Sequence, residues 1–242
     1  MKPAEAILRE IEAAFEREPH INLHVWPLQM KLDAGILTLE GEVEHIAAKK
    51  LALELAAATA GVDGIVDRLR IAPAEAMEDM EIRDHVCDAF VQEPAFADYA
   101  IHALVFGKWE SVREAPREPT GLLQVEVAGG IVTLNGRVTS LSHKRIAGVL
   151  AWWVPGSRDV VNGIEIIPPE EDNDDEITDA VRLVLEKDPF VNASQLRVSC
   201  RDRVVTLDGA VPKPKEKDMA EADAWYVFGV DKVVNRLVIV ES

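Results

Sequence analysis

One line is written three times in this chain: Gly35-Ile-Leu-Thr-Leu-Glu-Gly-Glu-Val43, Gly130-Ile-Val-Thr-Leu-Asn-Gly-Arg-Val138 and Arg203-Val-Val-Thr-Leu-Asp-Gly-Ala-Val211. Each starts 26 residues before a glycine, namely Gly61, Gly156 or Gly229. Self-similarity at a fixed interval is the mark of a repeated supersecondary unit. The 242 residues are therefore expected to form three small modules, residues 1–73, 76–168 and 174–242, rather than one large domain. A module of that size buries only about 60% of its unfolded surface, so contact between copies is the default expectation.

Each copy opens with an amphipathic helix. Ile7, Leu8, Ile11 and Phe15 share a face, as do Ile82, Val86, Ala89 and Phe90, and Ile177, Val181, Val184 and Leu185. Each helix stops at an acidic residue and a proline: Glu18-Pro19, Glu93-Pro94 and Asp188-Pro189. Asp174 and Asp175 can cap the third helix or complement its dipole. A hairpin follows, with alternating apolar residues running into Asp33-Ala34-Gly35, Ala128-Gly129-Gly130 and Arg201-Asp202-Arg203. The third of these turns lacks glycine, and a looser or bulged connection is expected there.

A second helix, over residues 47–59, 142–154 and 216–228, ends at the aligned glycines, as C-terminal caps do. A last strand closes each unit at residues 65–71, 160–166 and 233–239. The fold class is thus α+β: three tandem αββαβ units, each with two helices on one face of a three-stranded mixed sheet. The open sheet faces and edges call for cover, and sister copies are the nearest candidates.

The acidic-Pro stop, the Gly-x-Val-Thr-Leu-x-Gly-x-Val strand and the closing Gly229-Val230-Asp231-Lys232-Val233-Val234-Asn235-Arg236-Leu237 together resemble the BON domain. This is a small bacterial module named after osmotically inducible and nodulation proteins. The resemblance spans nearly the whole chain. It implies a non-enzymatic module of cell-envelope and stress proteins, with phospholipid as the commonly proposed ligand. Some relatives are described as cytoplasmic potassium-binding proteins.

The formal charge of −17 argues against nucleic acid, whose phosphates are neutralised by Lys and Arg, and against attraction to an anionic membrane. No run approaches the roughly 20 apolar residues of a membrane span. The N-terminal stretch is charged every few residues and does not read as a secretion signal. A cytoplasmic location is expected, or a periplasmic one if a leader has been removed. Cys87 and Cys200 occupy non-equivalent positions and read as two buried, reduced thiols.

The common nucleotide and hydrolase signatures are absent. His20, His24, His45, His85, His102 and His143 do not fall into zinc-ligand spacing. Glu40, Asn135 and Asp208 precede the strand glycines, but an acid-base role does not survive such variation, and a turn or bulge role for the glycine is simpler. The acidic run Glu170 to Glu176 lacks the glycine and terminal glutamate offsets of a calcium loop. It reads as a solvated linker that also caps the third unit's helix. Neither an enzyme, a cofactor nor a metal site is expected.

The copies differ in two places. Proline-to-turn spacing is 16 residues in copy one, 36 in copy two and 14 in copy three, so copy two carries an insertion, placed at residues 101–121, with Phe106, Trp109, Pro116 and Pro119. Loops of such length are often functional or disordered. The second difference is the aromatic pair Trp152-Trp153, matched by Trp225-Tyr226 in copy three and by Ala57-Ala58 in copy one. Adjacent helix residues point about 100° apart, so one of each pair can fill the core while the other meets a sister copy, a subunit or a ligand.

Phe106, Trp109, Trp152, Trp153, Trp225 and Tyr226 are therefore the candidate partner or ligand surface. The expected function is a non-catalytic binding or scaffold protein, linked to envelope or osmotic stress, with phospholipid or membrane-associated protein partners. The alternative is a soluble potassium or small-ligand sensor. A homo-oligomer is a further candidate assembly.

Overall fold

The computed structural model describes residues 2–114 and 119–240. In copy one, α1 (Ala4–Phe15) turns Ile7, Ile11 and Phe15 inward onto β1 (Gln29–Asp33), β2 (Ile36–Val43) and β3 (Gly64–Ile71), with α2 (Ile46–Ala57) between the last two strands. β1 pairs antiparallel with β2, and β2 pairs parallel with β3. Alternation along β2 buries Leu37, Leu39 and Val43 and leaves Thr38, Glu40 and Glu42 to the open face.

Copy two follows the same order around an addition: α3 (Asp79–Gln92), β4 (Tyr99–Val105), β5 (Lys108–Arg113), β6 (Gly121–Ala128), β7 (Ile131–Val138), α4 (Leu141–Trp152), β8 (Asp159–Asn162) and β9 (Glu165–Ile166). Copy three has α5 (Asp174–Lys187), β10 (Leu196–Arg201), β11 (Val204–Val211), α6 (Pro214–Tyr226), β12 (Lys232–Asn235) and β13 (Val238–Ile239). The fold is α+β, with mixed sheets of three, six and four strands. Copies two and three exceed three strands partly because the closing strand breaks at Asn162 and Asn235. Each asparagine donates to a carbonyl of the preceding helix, Lys144 O at 2.8 Å or Lys217 O at 3.1 Å, and accepts from the amide two residues on. Copy one has Asp67 there, which cannot donate. It instead pairs with Lys49 Nζ at 2.9 Å, and β3 runs unbroken.

The shared sequence marks acquire physical causes. In every copy the carboxylate before the proline accepts the amide two residues on: His20 N on Glu18, Ala95 N on Glu93 and Phe190 N on Asp188. The helix thus stops in a side-chain-closed turn. The strand glycines Gly41, Gly136 and Gly209 have φ of 146°, 110° and 137°. A Cβ at Gly136 would lie 2.1 Å from Leu122 O, so the neighbouring backbone excludes any side chain. The Arg201-Asp202-Arg203 turn is neither looser nor bulged. Asp202 and Arg203 adopt φ of 51° and 61°, matching Gly129 and Gly130 at 61° and 75°, because the register Arg201↔Val204 demands the same two-residue connection.

The described part of the copy-two insertion is not a loop. Its residues build the β4–β5 hairpin, and β4 adds in parallel to the edge of β6, giving the order β5-β4-β6-β7-β8. Tyr99, Ile101 and Ala103 enter the core. Arg113 pins the second strand back, donating to Val91 O, Phe96 O and Tyr99 O. Pro116 lies outside the described residues.

The contacts divide the chain into two units, residues 1–72 and 73–242. Within the second unit, copies two and three meet through their helices: α4 lies against α5 and α6, and Leu183 of α5 packs on the copy-two core. The expectation that a sister copy would cover the open sheet face therefore fails between these two. Those faces carry Gln124, Glu126, Asn135 and Arg137 in copy two and Arg197, Ser199 and Asp208 in copy three, which can meet water.

Candidate functional site

The junction of copies two and three is built from groups that either module alone would leave unsatisfied. Arg145 on α4 is fully buried. Its Nε donates to Phe228 O at 2.9 Å and its Nη2 to Asp172 Oδ1 at 2.6 Å. Asp172 belongs to the acidic run, which is not merely solvated linker. Glu170 accepts Leu141 N at 2.7 Å, Asn173 caps α5 through Asp175 N and Glu176 N, and Asp174 accepts Asp202 N at 2.7 Å and Arg203 N at 3.0 Å. The amides of Arg203 and Asp202 hold the Asp174 carboxyl below its ordinary value. Asn173, rather than either aspartate after it, is the cap.

The aromatic pairs occupy the same junction. Trp152 stacks on Tyr226, with ring centroids 5.6 Å apart and an interplanar angle of 18°. The Trp153 indole donates to Asp223 Oδ1 at 2.9 Å. Trp225 is buried. Burial, reinforced by the adjacent Asp188 carboxylate, pushes the Asp223 carboxyl up to about 8, against the pull of the Trp153 hydrogen bond. At the far end, Lys187 Nζ reaches both oxygens of Glu93 at 2.9 Å. The Glu93 of the helix stop thus also joins the copies.

Lys144 sits 5.3 Å from the centroid of the Phe228 ring, and burial lowers its ammonium's pKa. Its counterparts Lys49 and Lys217 donate to Leu69 O and Leu237 O of their own closing strands. This lysine stands at one register in all three copies and escaped the sequence reading, although that alignment was the available signal.

The remaining candidates lie on the hairpin. Phe106 is at the β4–β5 turn with φ 47° and is 94% exposed. Trp109, half-exposed, stands opposite Leu104. Phe106 and Trp109 do not join the four aromatics of the junction. Two of the histidines serve local structure: His45 accepts Ala48 N and caps α2, and His20 Nδ1 lies 2.7 Å from Glu18. Cys87 is buried, and burial pushes its thiol up to about 12. Cys200 is only partly buried, and its Sγ donates to Asp174 Oδ1. Among the described residues no helix is long and apolar enough to cross a membrane.

The family model of the BON domain matches residues 4–73, 111–168 and 173–241. No curated protein matches the chain. The chain is similar to two solved structures of CdsD, a structural protein of the type III secretion system of Chlamydia trachomatis. One shares 14% identity, covering 98% of this chain and 93% of that one, with a TM-score of 0.26. The other, a C-terminal domain, shares 14% identity over 99% of this chain and 100% of that one, with a TM-score of 0.25. At those scores the likeness carries no argument about assembly or role.

Proposed function

The chain belongs to the BON-domain family, carrying three copies of the module, and on that premise we propose that it is a non-catalytic scaffold whose second and third domains act as one block. The observation that carries this reading is the junction. Arg145, Asp172, Trp153, Asp223, Glu93 and Lys187 are engaged in holding two domains together. Buried polar networks of this kind fix one arrangement of packed elements.

The block presents the β4–β5 hairpin to a partner, with Phe106 at its tip and Trp109 beside it. Aromatic rings next to a cation, here Lys108, suit the polar-apolar boundary of a phospholipid surface. The charge of −17 favours a zwitterionic over an anionic bilayer. This reading is compatible with a role in envelope or osmotic stress. Liposome flotation tests it: the chain floats with phosphatidylcholine vesicles, and the Phe106→Ser, Trp109→Ser variant does not. A chain that stays at the bottom of the gradient with every vesicle composition removes the lipid reading and leaves the scaffold alone.

A further inference from the structure

The three copies close their hairpins with the same turn and secure it differently. In copy two, Asp79 at the start of α3 accepts Gly129 N and Gly130 N, each at 2.8 Å, one on each carboxylate oxygen. In copy three, Asp174 at the same helical position accepts Asp202 N and Arg203 N. The aligned residue of copy one is Ala4, whose side chain ends at Cβ.

The turn itself is unchanged. Ala34 and Gly35 have φ of 46° and 83°, close to their counterparts, so the backbone presents the same pair of amides. Neither amide has an acceptor among the described residues. Against them opens a groove of ≈ 580 Å³ lined by Ala4, Ile7, Leu32, Ala34, Gly35 and Gly61, with Lys2, Ala60 and Asp63 completing its wall. Adjacent amides on a left-handed turn form an anion-binding concavity, and a groove of this volume is in the range of small-ligand sites.

We infer that the first domain binds a carboxylate carried on a short apolar stem, seated on the amides of Ala34 and Gly35 where aspartates of the chain itself sit in the other two domains. The apolar part lies along Ile7, Leu32 and Ala60, and Lys2 stands at the rim. Lys2 Nζ is 2.7 Å from Glu10, with both side chains about half exposed, so that pair is weak enough to exchange. Asp63 stands at the same turn: its amide donates to Gly35 O, as that of Asp231 does to Arg203 O in copy three. Its exposed carboxylate lies against Gly35, so an incoming anion displaces that side chain. The site stands independently of the scaffold reading and of any lipid contact by the hairpin.

The test is amide proton–nitrogen NMR on the full labelled chain at physiological salt, which screens the net charge. The probes are sodium butyrate, its neutral isostere butyramide, and an aspartate residue capped at both ends. Butyrate or the capped aspartate shifts the Ala34 and Gly35 amides saturably, with butyramide at least ~10-fold weaker because it brings no charge to the hydrogen bonds. The Gly129 and Gly130 amides, already held by Asp79, stay in place. Tighter binding of the capped aspartate identifies a peptide as the source, and tighter binding of butyrate a free acid.

Ala4→Asp supplies the carboxylate internally, so it moves both amides without ligand and abolishes the response. Ala60→Trp narrows the groove from an exposed position and weakens binding even if Ala4→Asp fails to fold. Amides unmoved by either carboxylate, or moved as far by butyramide, overturn the inference.

Discussion

Arg145→Met keeps most of the aliphatic stem of Arg145 and removes two charge-assisted hydrogen bonds, at 2.9 Å to Phe228 O and 2.6 Å to Asp172. Bonds to a charged group contribute roughly 1.5–3 kcal/mol each, and breaking a fully buried ion pair costs about 3–5 kcal/mol. Two features lower the figure. The Asp172 side chain is 18% exposed and can recover water, and Nη1 of Arg145 has no partner among the described residues, so its removal relieves a desolvated donor.

The expected loss is about 2 kcal/mol for methionine, and about 4 kcal/mol for alanine, which also forfeits the packing of the stem. Urea unfolding followed by tryptophan fluorescence reads it, since Trp152, Trp153 and Trp225 lie in the unit that Arg145 joins. A cycle with Asp172→Asn should return a coupling of at least about 1 kcal/mol. A loss below about 0.5 kcal/mol for Arg145→Met, the range of ordinary surface substitutions, would show that the junction does not hold the domains and would refute the reasoning.

Asp223, with its carboxyl pushed up to about 8, keeps its proton in the folded chain where the unfolded chain has lost it, so this group makes stability fall as pH rises from about 4 to about 8. Asp223→Asn retains the acceptor for Trp153, flattens that slope and raises the melting temperature above pH 8; an unchanged pH profile contradicts the assignment. Asp79→Ala frees the amides of Gly129 and Gly130 and should cost about 1 kcal/mol, measured by denaturation. Gly136→Ala drives a Cβ to 2.1 Å from Leu122 O at a φ of 110°, and a loss above about 3 kcal/mol is expected. Phe106→Ser, at a residue 94% exposed, should leave stability within about 0.5 kcal/mol.

The repeat made much of the fold legible. Where Leu37, Val132 and Val205 recur at one register, the same burial recurs, because a strand's alternation is a local property that tertiary context does not rewrite. The helix stops were legible for the same reason. The Arg201-Asp202-Arg203 turn was not, since its non-glycine residues accept positive φ only because the paired strands and Asp174 impose it. The hairpin of copy two escaped because its core residues, Tyr99, Ile101 and Ala103, read as a loop when held against the shorter copies.

Arg145 and the Asp79 and Asp174 contacts lay beyond sequence reasoning. Each pairs residues from 27 to 83 positions apart, and only the folded chain brings them together. Composition assigned the acidic run to solvent. Its position at a domain boundary, beside a module that buries an arginine, gave it partners instead.

Native-state hydrogen exchange on the full chain tests most directly whether the second and third domains are one block. The slowest amides of β7 and of β11, interior strands that pair with the closing strands of the two sheets, are predicted to open with a single free energy and to speed up together in Arg145→Met. Two distinct opening energies in the parent chain, or acceleration confined to β7 in the variant, would contradict the account.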